Sequence, residues 1–450
     1  MISNYINSFL KKLEIDKTVT FLLLGKVVSL LSQPITLFFI SAYLNAEERG
    51  YYFTFSNIIA LSIFLELGLG TILTQFASHE FAYLRWNKGV LEGDTIPLNR
   101  TLSLMKKTIN WYIIIAILFS IIIIPVGLFF FKSNSTINYV TPWILLVVFN
   151  ALGLITYCFT AIMEGLGKIA EIQFMRMLQT IVGSISIWLV LFAQGKLYAA
   201  AALAIVNFLI LFFWMKIKYA NLLKQVSNFS KHEVEQVSWR KEIWPVQWKI
   251  AISWASGYIM FQLINPVLFK YKGAIEAGKM GMTNSLVNIV LSIGLSWIVA
   301  KTPIYGGLIN KKEFDTLNAI AIKNTKIALL VTSFCSFAML LCIYTVFHFF
   351  PVYRDRILPL AALVALFINA LSSVIITSIA CYLRAFKKEP LLFSSLVSAV
   401  ITSILIFISA KYFDAVILCM FIMAFNIFFN LPVSFFILKK NTVKNTVVYE

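Results

Sequence analysis

Long unbroken apolar runs constrain this chain more than any other feature of its sequence. Twelve of them cover about 19–44, 50–77, 109–131, 140–163, 177–193, 197–217, 250–271, 280–303, 327–350, 357–383, 391–410 and 414–438. A helix needs ~20 such residues to cross ~30 Å of hydrocarbon. Lipid offers backbone N–H and C=O groups no partner, so a crossing segment is a helix or part of a closed barrel. Runs this long without period-two alternation are helices. Composition agrees: of 450 residues, 60% are hydrophobic and 13% charged, with mean hydropathy +0.85, against roughly 25% charged in a soluble domain. The expected fold class is an all-α polytopic membrane protein with about twelve transmembrane helices. A cytosolic enzyme, a disulfide scaffold and a disordered chain are excluded.

The net charge of +18 would suggest nucleic acid on a soluble protein. Its distribution says otherwise. Segments 1–18, 78–108, 164–176, 218–249, 301–326, 384–390 and 439–450 hold 28 of the 38 Lys and Arg, counting Lys216 at an edge. The alternate connections hold 9, counting Lys270, and Lys26 lies inside the first span. The positive-inside rule places both termini and every long loop in the cytoplasm. Nucleic acid is not an expected partner; anionic membrane lipid is. The first apolar run is too long for a cleaved signal and lacks a small-x-small site, so it is a span. The cysteines Cys158, Cys335, Cys342, Cys381 and Cys419 are scattered through apolar segments without a CxxC, and read as packing residues.

Segment 218–249 divides the chain six spans to a side. The expected organisation is an N-terminal lobe over 1–217, a cytoplasmic linker over 218–249, a C-terminal lobe over 250–438 and a tail over 439–450. Segments 78–108 and 218–249, mixed in charge and aromatics, suit amphipathic helices at the interface. An even number of spans per half allows parallel repeats about the membrane normal. Tyr43, Ala46, Glu48 and Gly50 match Tyr271, Ala274, Glu276 and Gly278 at a constant offset of 228, and Ser56-Asn57 is answered by Asn284-Ser285.

Leu44-Asn-Ala-Glu47-Glu48-Arg49-Gly50-Tyr51-Tyr52, Glu66-Leu-Gly68-Leu69 and Gln75-Phe-Ala-Ser-His79-Glu80 carry a resemblance. They are similar to segments of the multidrug/oligosaccharidyl-lipid/polysaccharide (MOP) flippase superfamily, in its Wzx-type O-antigen translocase branch. The motif likeness spans roughly 25–105. It implies two pseudo-symmetric six-helix lobes around a central cavity, a MATE-like arrangement, in a bacterial cytoplasmic (inner) membrane. It also implies a polyprenyl-diphosphate-linked glycan as cargo in polysaccharide or lipopolysaccharide biosynthesis, and other polysaccharide-assembly membrane proteins as partners. Relatives of the lipid II flippase type have fourteen helices; this chain has room for twelve.

Charge inside the spans is scarce. Lys26 and Glu66 lie well within the hydrocarbon, where a central charge costs ~2.5–3.5 kcal/mol. Either they pair and lock spans 1 and 2, or they serve a cavity or a coupling proton or sodium ion; both readings stand. Polar stripes at helical spacing run along span 1 (Lys26, Ser29, Gln33, Thr36), span 2 (Ser62, Glu66, Gly70, Thr74), span 7 (Tyr258, Gln262, Asn265) and span 8 (Ser285, Asn288, Ser292, Ser296). Ser and Thr read as interhelical glue, and Gln33, Gln262, Asn265 and Asn288 as cavity candidates. Spans 1, 2, 7 and 8 are expected to line a cleft, with Pro34 and Pro266 as bend points.

The resemblance's diphosphate cargo wants fixed cations. Lys26 and Lys249 are the best placed, with Arg85, Arg176 and Arg384 at cytoplasmic mouths, and His79 beside Glu80. No cofactor or metal motif is present, and no nucleophile constellation or Walker A loop. Three functions compete. A flippase working by alternating access leads, a MATE-type cation or drug antiporter is the alternative, and a membrane glycosyltransferase or polysaccharide polymerase comes third because the outer loops are too short for an active site.

Overall fold

The computed structural model describes residues 17–66, 68–132, 137–229, 237–244, 247–248, 257–258, 262–310, 312–386 and 390–449. The chain is an all-α polytopic membrane protein. Among the described residues, ten helices are long and apolar enough to cross a membrane, rather than the twelve expected. The difference lies in spans 2 and 7. Span 1 is the single helix α1 (Lys17–Tyr43), whereas span 2 is segmented into α2 (Ala46–Ile59), a 3₁₀ turn (Ala60–Ser62), α3 (Ile63–Glu66) and α4 (Leu69–Phe81). Gly68 at φ +67° separates α3 from α4, a left-handed conformation that glycine adopts without steric cost. Of span 7, the described helix is α10 (Ile264–Lys272), and Pro266 sits in its first turn, where a missing N–H costs nothing. The chain is helical at 257–258 and 262 and bent at 263, three residues before Pro266, where a proline removes the i→i−4 bond.

The remaining helices are α5 (Thr95–Phe130), α6 (Val140–Gly165), α7 (Ile169–Phe192), α8 (Tyr198–Lys218), α9 (Ala220–Asn228), α11 (Ala274–Asn310), α12 (Phe314–Phe349), α13 (Leu360–Ala385), α14 (Leu392–Tyr412), α15 (Ala415–Phe425), a π turn (Asn426–Asn430) and α16 (Leu431–Tyr449). Several of them, α5, α11 and α12 above all, outrun their apolar cores. Most of the expected loop 301–326 is thus helix. Hydropathy marks where lipid begins, whereas the i→i−4 ladder continues as readily in water.

Segment 78–108 is a second correction. In place of an amphipathic helix it forms a β-hairpin, β1 (Leu84–Asn87) paired antiparallel with β2 (Val90–Gly93), before α5 starts at Thr95. Lys88 at φ 45° and Gly89 at φ 86° form the turn, the two positive φ values of a type I′ hairpin.

Two compact units form. The first comprises Met1–Leu44 and Ile58–Trp254; the second comprises Asn45–Asn57 and Ala255–Glu450. In the first unit α1 packs on α7, α4 on α6, α5 on α6, and α8 on both α6 and α7. In the second, α10 packs on α14, α11 on α13, α12 on α13, and α15 on both α13 and α14. Replacing each span by the one six later turns the first set of pairings into the second.

The first unit also carries a polar cap. Gln225 of α9 bonds both backbone groups of Leu91 (3.1 and 2.9 Å), and Lys106 donates to the carbonyls of Ser227 and Phe229 at 3.0 and 2.7 Å. Leu222 and Val226, four apart, are the buried face of α9.

The loop whose sequence resembles the flippase superfamily proves to be a helix cap. Asn45 Oδ1 accepts from Glu48 N at 2.8 Å, and Glu48 Oε2 accepts from Asn45 N at 2.9 Å, the reciprocal arrangement of a capping box. Asn45→Ala is expected to cost about 1 kcal/mol, read as a lower thermal midpoint of the detergent-purified protein.

Candidate functional site

The structure separates the residues singled out in the sequence. Lys26 is exposed on α1, and among the described residues no ion pair joins it to Glu66, which corrects the pairing expected as one reading. The reason lies in packing. Helix α1 is held by α7, where Trp188 Nε1–H donates to Thr36 Oγ1 at 2.9 Å and stacks on Phe39 with centroids 5.9 Å apart. Glu66 instead ends α3, within Coulombic range of Tyr112 on α5 and Tyr157 on α6. Tyr112 is fully buried, and its hydroxyl has no hydrogen-bond partner among the described residues. Tyr157 reaches α4 directly: a Cβ on Gly70 would lie 2.7 Å from its hydroxyl oxygen.

Gln33 is exposed, its Nε2 donating to Ser29 Oγ at 3.3 Å. His79, Arg85, Asn288 and Arg384 are exposed. Glu80 pairs with Arg100 at 2.7 Å, and Arg176 with Glu164 at 2.8 Å. Lys249 lies outside the described residues. The stripe hydroxyls link helices on spans 1 and 2, where Thr36 accepts from Trp188 and Thr74 Oγ1 donates to Ala161 O at 2.8 Å, whereas Ser285, Ser292 and Ser296 of span 8 donate within their own helix.

In the second unit the span 7 stripe converges on one residue. Asn57 donates through Nδ2 to Gln262 Oε1 and accepts on Oδ1 from Asn265 Nδ2 at 2.9 Å, while its carbonyl accepts from Tyr258 at 3.0 Å. Asn265 is 4% exposed. Gln262 and Asn265 therefore hold the start of span 2.

The first unit encloses the polar space. A cavity of ≈ 200 Å³ lies among α6, α7 and α8, with Asn150, Tyr157, Arg176, Gln179 and Asn207 on its wall. Arg176 is the one exposed lining residue, and its partner Glu164 neutralises it. Two amide hydrogens are used locally: Asn150 Nδ2 donates to Leu146 O at 2.8 Å, and Gln179 Nε2 to Asn207 O at 2.9 Å. Thr156 and Thr160 likewise donate to backbone carbonyls, at 2.9 and 2.8 Å. The wall carries both kinds of group: each carboxamide keeps at least one amide hydrogen beyond those bonds, the Tyr157 hydroxyl can donate, and Asn207 Oδ1 is buried without a partner among the described residues. Of the earlier candidates, only Arg176 belongs to this wall.

Reading polar stripes on spans 1, 2, 7 and 8 misses Asn150, Tyr157, Gln179 and Asn207, which lie on spans 4, 5 and 6. A signal for them does exist in the sequence. Asn150-Ala-Leu recurs as Asn369-Ala-Leu, an offset of 219, and the same offset carries Asn207 to Asn426. The drop from 228 to 219 between spans 2 and 4 is the length of an insertion in the first half, where the ten-residue hairpin Leu84–Gly93 stands.

No protein-family model and no curated protein sequence matches the chain. Among solved structures, the chain is similar to an inward-facing multidrug resistance MATE family transporter of the MOP superfamily. The TM-score is 0.66 at 15% identity, over 95% of this chain and 98% of that one. An outward-facing multidrug resistance MATE family transporter of the MOP superfamily gives 0.58 at 15% identity, over 96% and 97%. The MATE multidrug transporter DinF-BH, solved in complex with a ligand, gives 0.55 at 16% identity, over 91% and 92%. At these identities the likeness establishes the fold: this chain has a MATE-like fold along nearly its whole length.

Proposed function

We propose that this chain is a transporter, not an enzyme, working by alternating access, and that its cargo is a polyprenyl-diphosphate-linked oligosaccharide. The fold supports the transporter reading. The chemistry of the membrane-embedded polar groups carries the cargo reading. They are overwhelmingly amides and hydroxyls, and at the helix ends the carboxylates Glu164 and Glu171 are already paired with Arg176 at 2.8 Å and Lys218 at 2.5 Å. A carrier of organic cations wants unpaired carboxylates facing its cargo, and here Glu66 alone among the central positions is without an ion pair in the described residues. A glycan wants neutral donors and acceptors, and its diphosphate wants cations such as Lys26 and the basic segments near the helix ends. Glu66 is proposed as the coupling group, taking up a proton, with sodium the other candidate ion. The membrane is proposed as a bacterial cytoplasmic membrane with both termini inside, alongside other polysaccharide-assembly proteins.

The second reading is a MATE-type cation antiporter. The neighbours' own function favours it, since they are multidrug transporters. Proteoliposomes separate the two, with the cationic dye rhodamine as the antiporter's probe. The expected result is translocation of a fluorescent polyprenyl-diphosphate glycan driven by a proton gradient, and no gradient-driven uptake of the dye. Glu66→Gln should slow glycan translocation roughly tenfold, equivalent to ~1.4 kcal/mol of barrier, and abolish its response to the gradient. Rhodamine transport without glycan transport would establish the antiporter instead.

A further inference from the structure

We propose that the cavity in the first unit is a subsite for a single neutral sugar ring, and that the second unit's counterpart has been closed by one residue. The inference rests on the glycan reading above and adds where a ring of that glycan is held.

Space comes first. The cavity's ≈ 200 Å³ holds about seven waters at ~30 Å³ each, room for one hexose ring and short of the ~300 Å³ at which drug-sized pockets begin. Its polar wall offers acceptors in the amide oxygens of Asn150, Gln179 and Asn207 and the hydroxyls of Thr156 and Thr160, and donors in the remaining amide hydrogens and the Tyr157 hydroxyl. Arg176 adds a donor at the mouth. Hydroxyl groups answer both, because each can donate and accept. Phe149 and Phe208, edge to face with centroids 5.9 Å apart, give an apolar wall against which the C–H face of a sugar packs.

The second unit supplies the comparison. At the offset of 219, Asn150, Gln179 and Asn207 become Asn369, Ser398 and Asn426. There the groups satisfy one another through Asn430. Ser398 Oγ donates to Asn430 Oδ1, Asn430 Nδ2 to Asn426 Oδ1, and Asn426 Nδ2 to Asn369 Oδ1, each at 2.5 Å. Asn430 is Leu211 at the same offset, and Leu211 lines the open cavity. An apolar residue at this position leaves the acceptors facing space; an asparagine bridges them. The floor differs in the same sense. Gly153, whose Cβ would meet nothing within 4 Å, corresponds to Ser372, which fills its place and bonds Ile368 O at 3.3 Å.

Two substitutions test the assignment by different routes. Gly153→Leu fills the cavity from an open position, and Leu211→Asn gives the first unit the second unit's bridge. The full chain in nanodiscs is probed by saturation-transfer NMR with N-acetylglucosamine, galactose and rhamnose, each with and without 100-fold excess sodium, and in parallel by translocation of the lipid-linked glycan. The expected result is a ring-proton signal from at least one sugar in wild type, insensitive to sodium. Both variants should reduce it at least tenfold and slow glycan translocation, with thermal unfolding unchanged in Gly153→Leu, whose added side chain enters open space. Sugar signal persisting in both variants overturns the subsite, as does glycan translocation unaffected by Gly153→Leu, while leaving the glycan reading intact. Displacement of the signal by sodium makes the cavity a cation site and also overturns it. Wild type that moves rhodamine and no glycan overturns the functional reading itself.

Discussion

Replacing Gly50 by alanine should destabilise the protein by about 3 kcal/mol, the upper part of the range for forcing a methyl group into a closed contact. A Cβ on Gly50 would sit 1.9 Å from Ala274 O and 2.5 Å from its carbonyl carbon. These are backbone atoms of α11's first residue, so no side-chain rotation relieves the clash, and the helices must part. The contact is reciprocal. A Cβ on Gly278 would approach Gly50 N at 2.9 Å and Ala46 O at 3.2 Å, and the Phe53 ring occupies the place of a Cβ on Gly281 at 2.3 Å. Gly50 and Gly278 differ by 228, as do Phe53 and Gly281. The repeated motif is therefore a pair of small-residue faces that pack on each other, the close approach that glycines permit between membrane helices. Gly153→Ala is the matched control. Its Cβ meets open space, so the loss of glycine's conformational freedom should raise stability by ~0.5–1 kcal/mol. Opposite shifts of the thermal midpoint in the two variants are expected; equal shifts would refute the packing argument.

Glu171→Ala should cost about 4 kcal/mol, because truncation strands two buried donors, each worth ~1–3 kcal/mol when left unmade. Its Oε1 accepts from Trp214 Nε1 at 2.8 Å and its Oε2 from Tyr219 Oη at 2.9 Å, with Lys218 Nζ at 2.5 Å. Trp214 and Tyr219 are 9% and 2% exposed. Burial and the neighbouring carboxylate hold the Tyr219 hydroxyl above its ordinary pKa, so it remains a donor throughout the physiological range. Glu171→Gln keeps one acceptor and should lose roughly half as much, about 2 kcal/mol. Trp86 reports the damage, since its ring packs on Tyr219 with centroids 5.8 Å apart. A quenched or red-shifted tryptophan emission should accompany the lowered midpoint. An unchanged midpoint in Glu171→Ala would mean that the cap is held without this carboxylate.

Both effects concern groups whose weight the sequence hides. Glu171 reads as one more loop charge, and Gly50 as one glycine in a short connection, until α2 and α11 are seen to cross at it. Lys26 and Glu66 show the converse. Their depth and rarity are legible, yet depth says nothing about azimuth, so the pair inferred from similar distances along two helices is not made. Asn57 is similar: it reads as half of a Ser-Asn doublet, and in the fold it gathers Tyr258, Gln262 and Asn265.

Local composition sets the class of structure, an all-α polytopic membrane protein. Lipid forces backbone groups to be satisfied within helices, so the helical class and the order of the long spans follow from local composition. A repeat survives as a constant offset whatever the helices do in space. Tertiary structure alone decided which helices touch, where span 2 breaks, that residues 45–57 pack with the second unit, and that Asn150, Gln179 and Asn207 face one cavity. Those outcomes depend on side-chain packing between helices of equal hydrophobicity. Apolar residues look alike to lipid and to a neighbouring helix, so no pattern along the chain distinguishes the two faces.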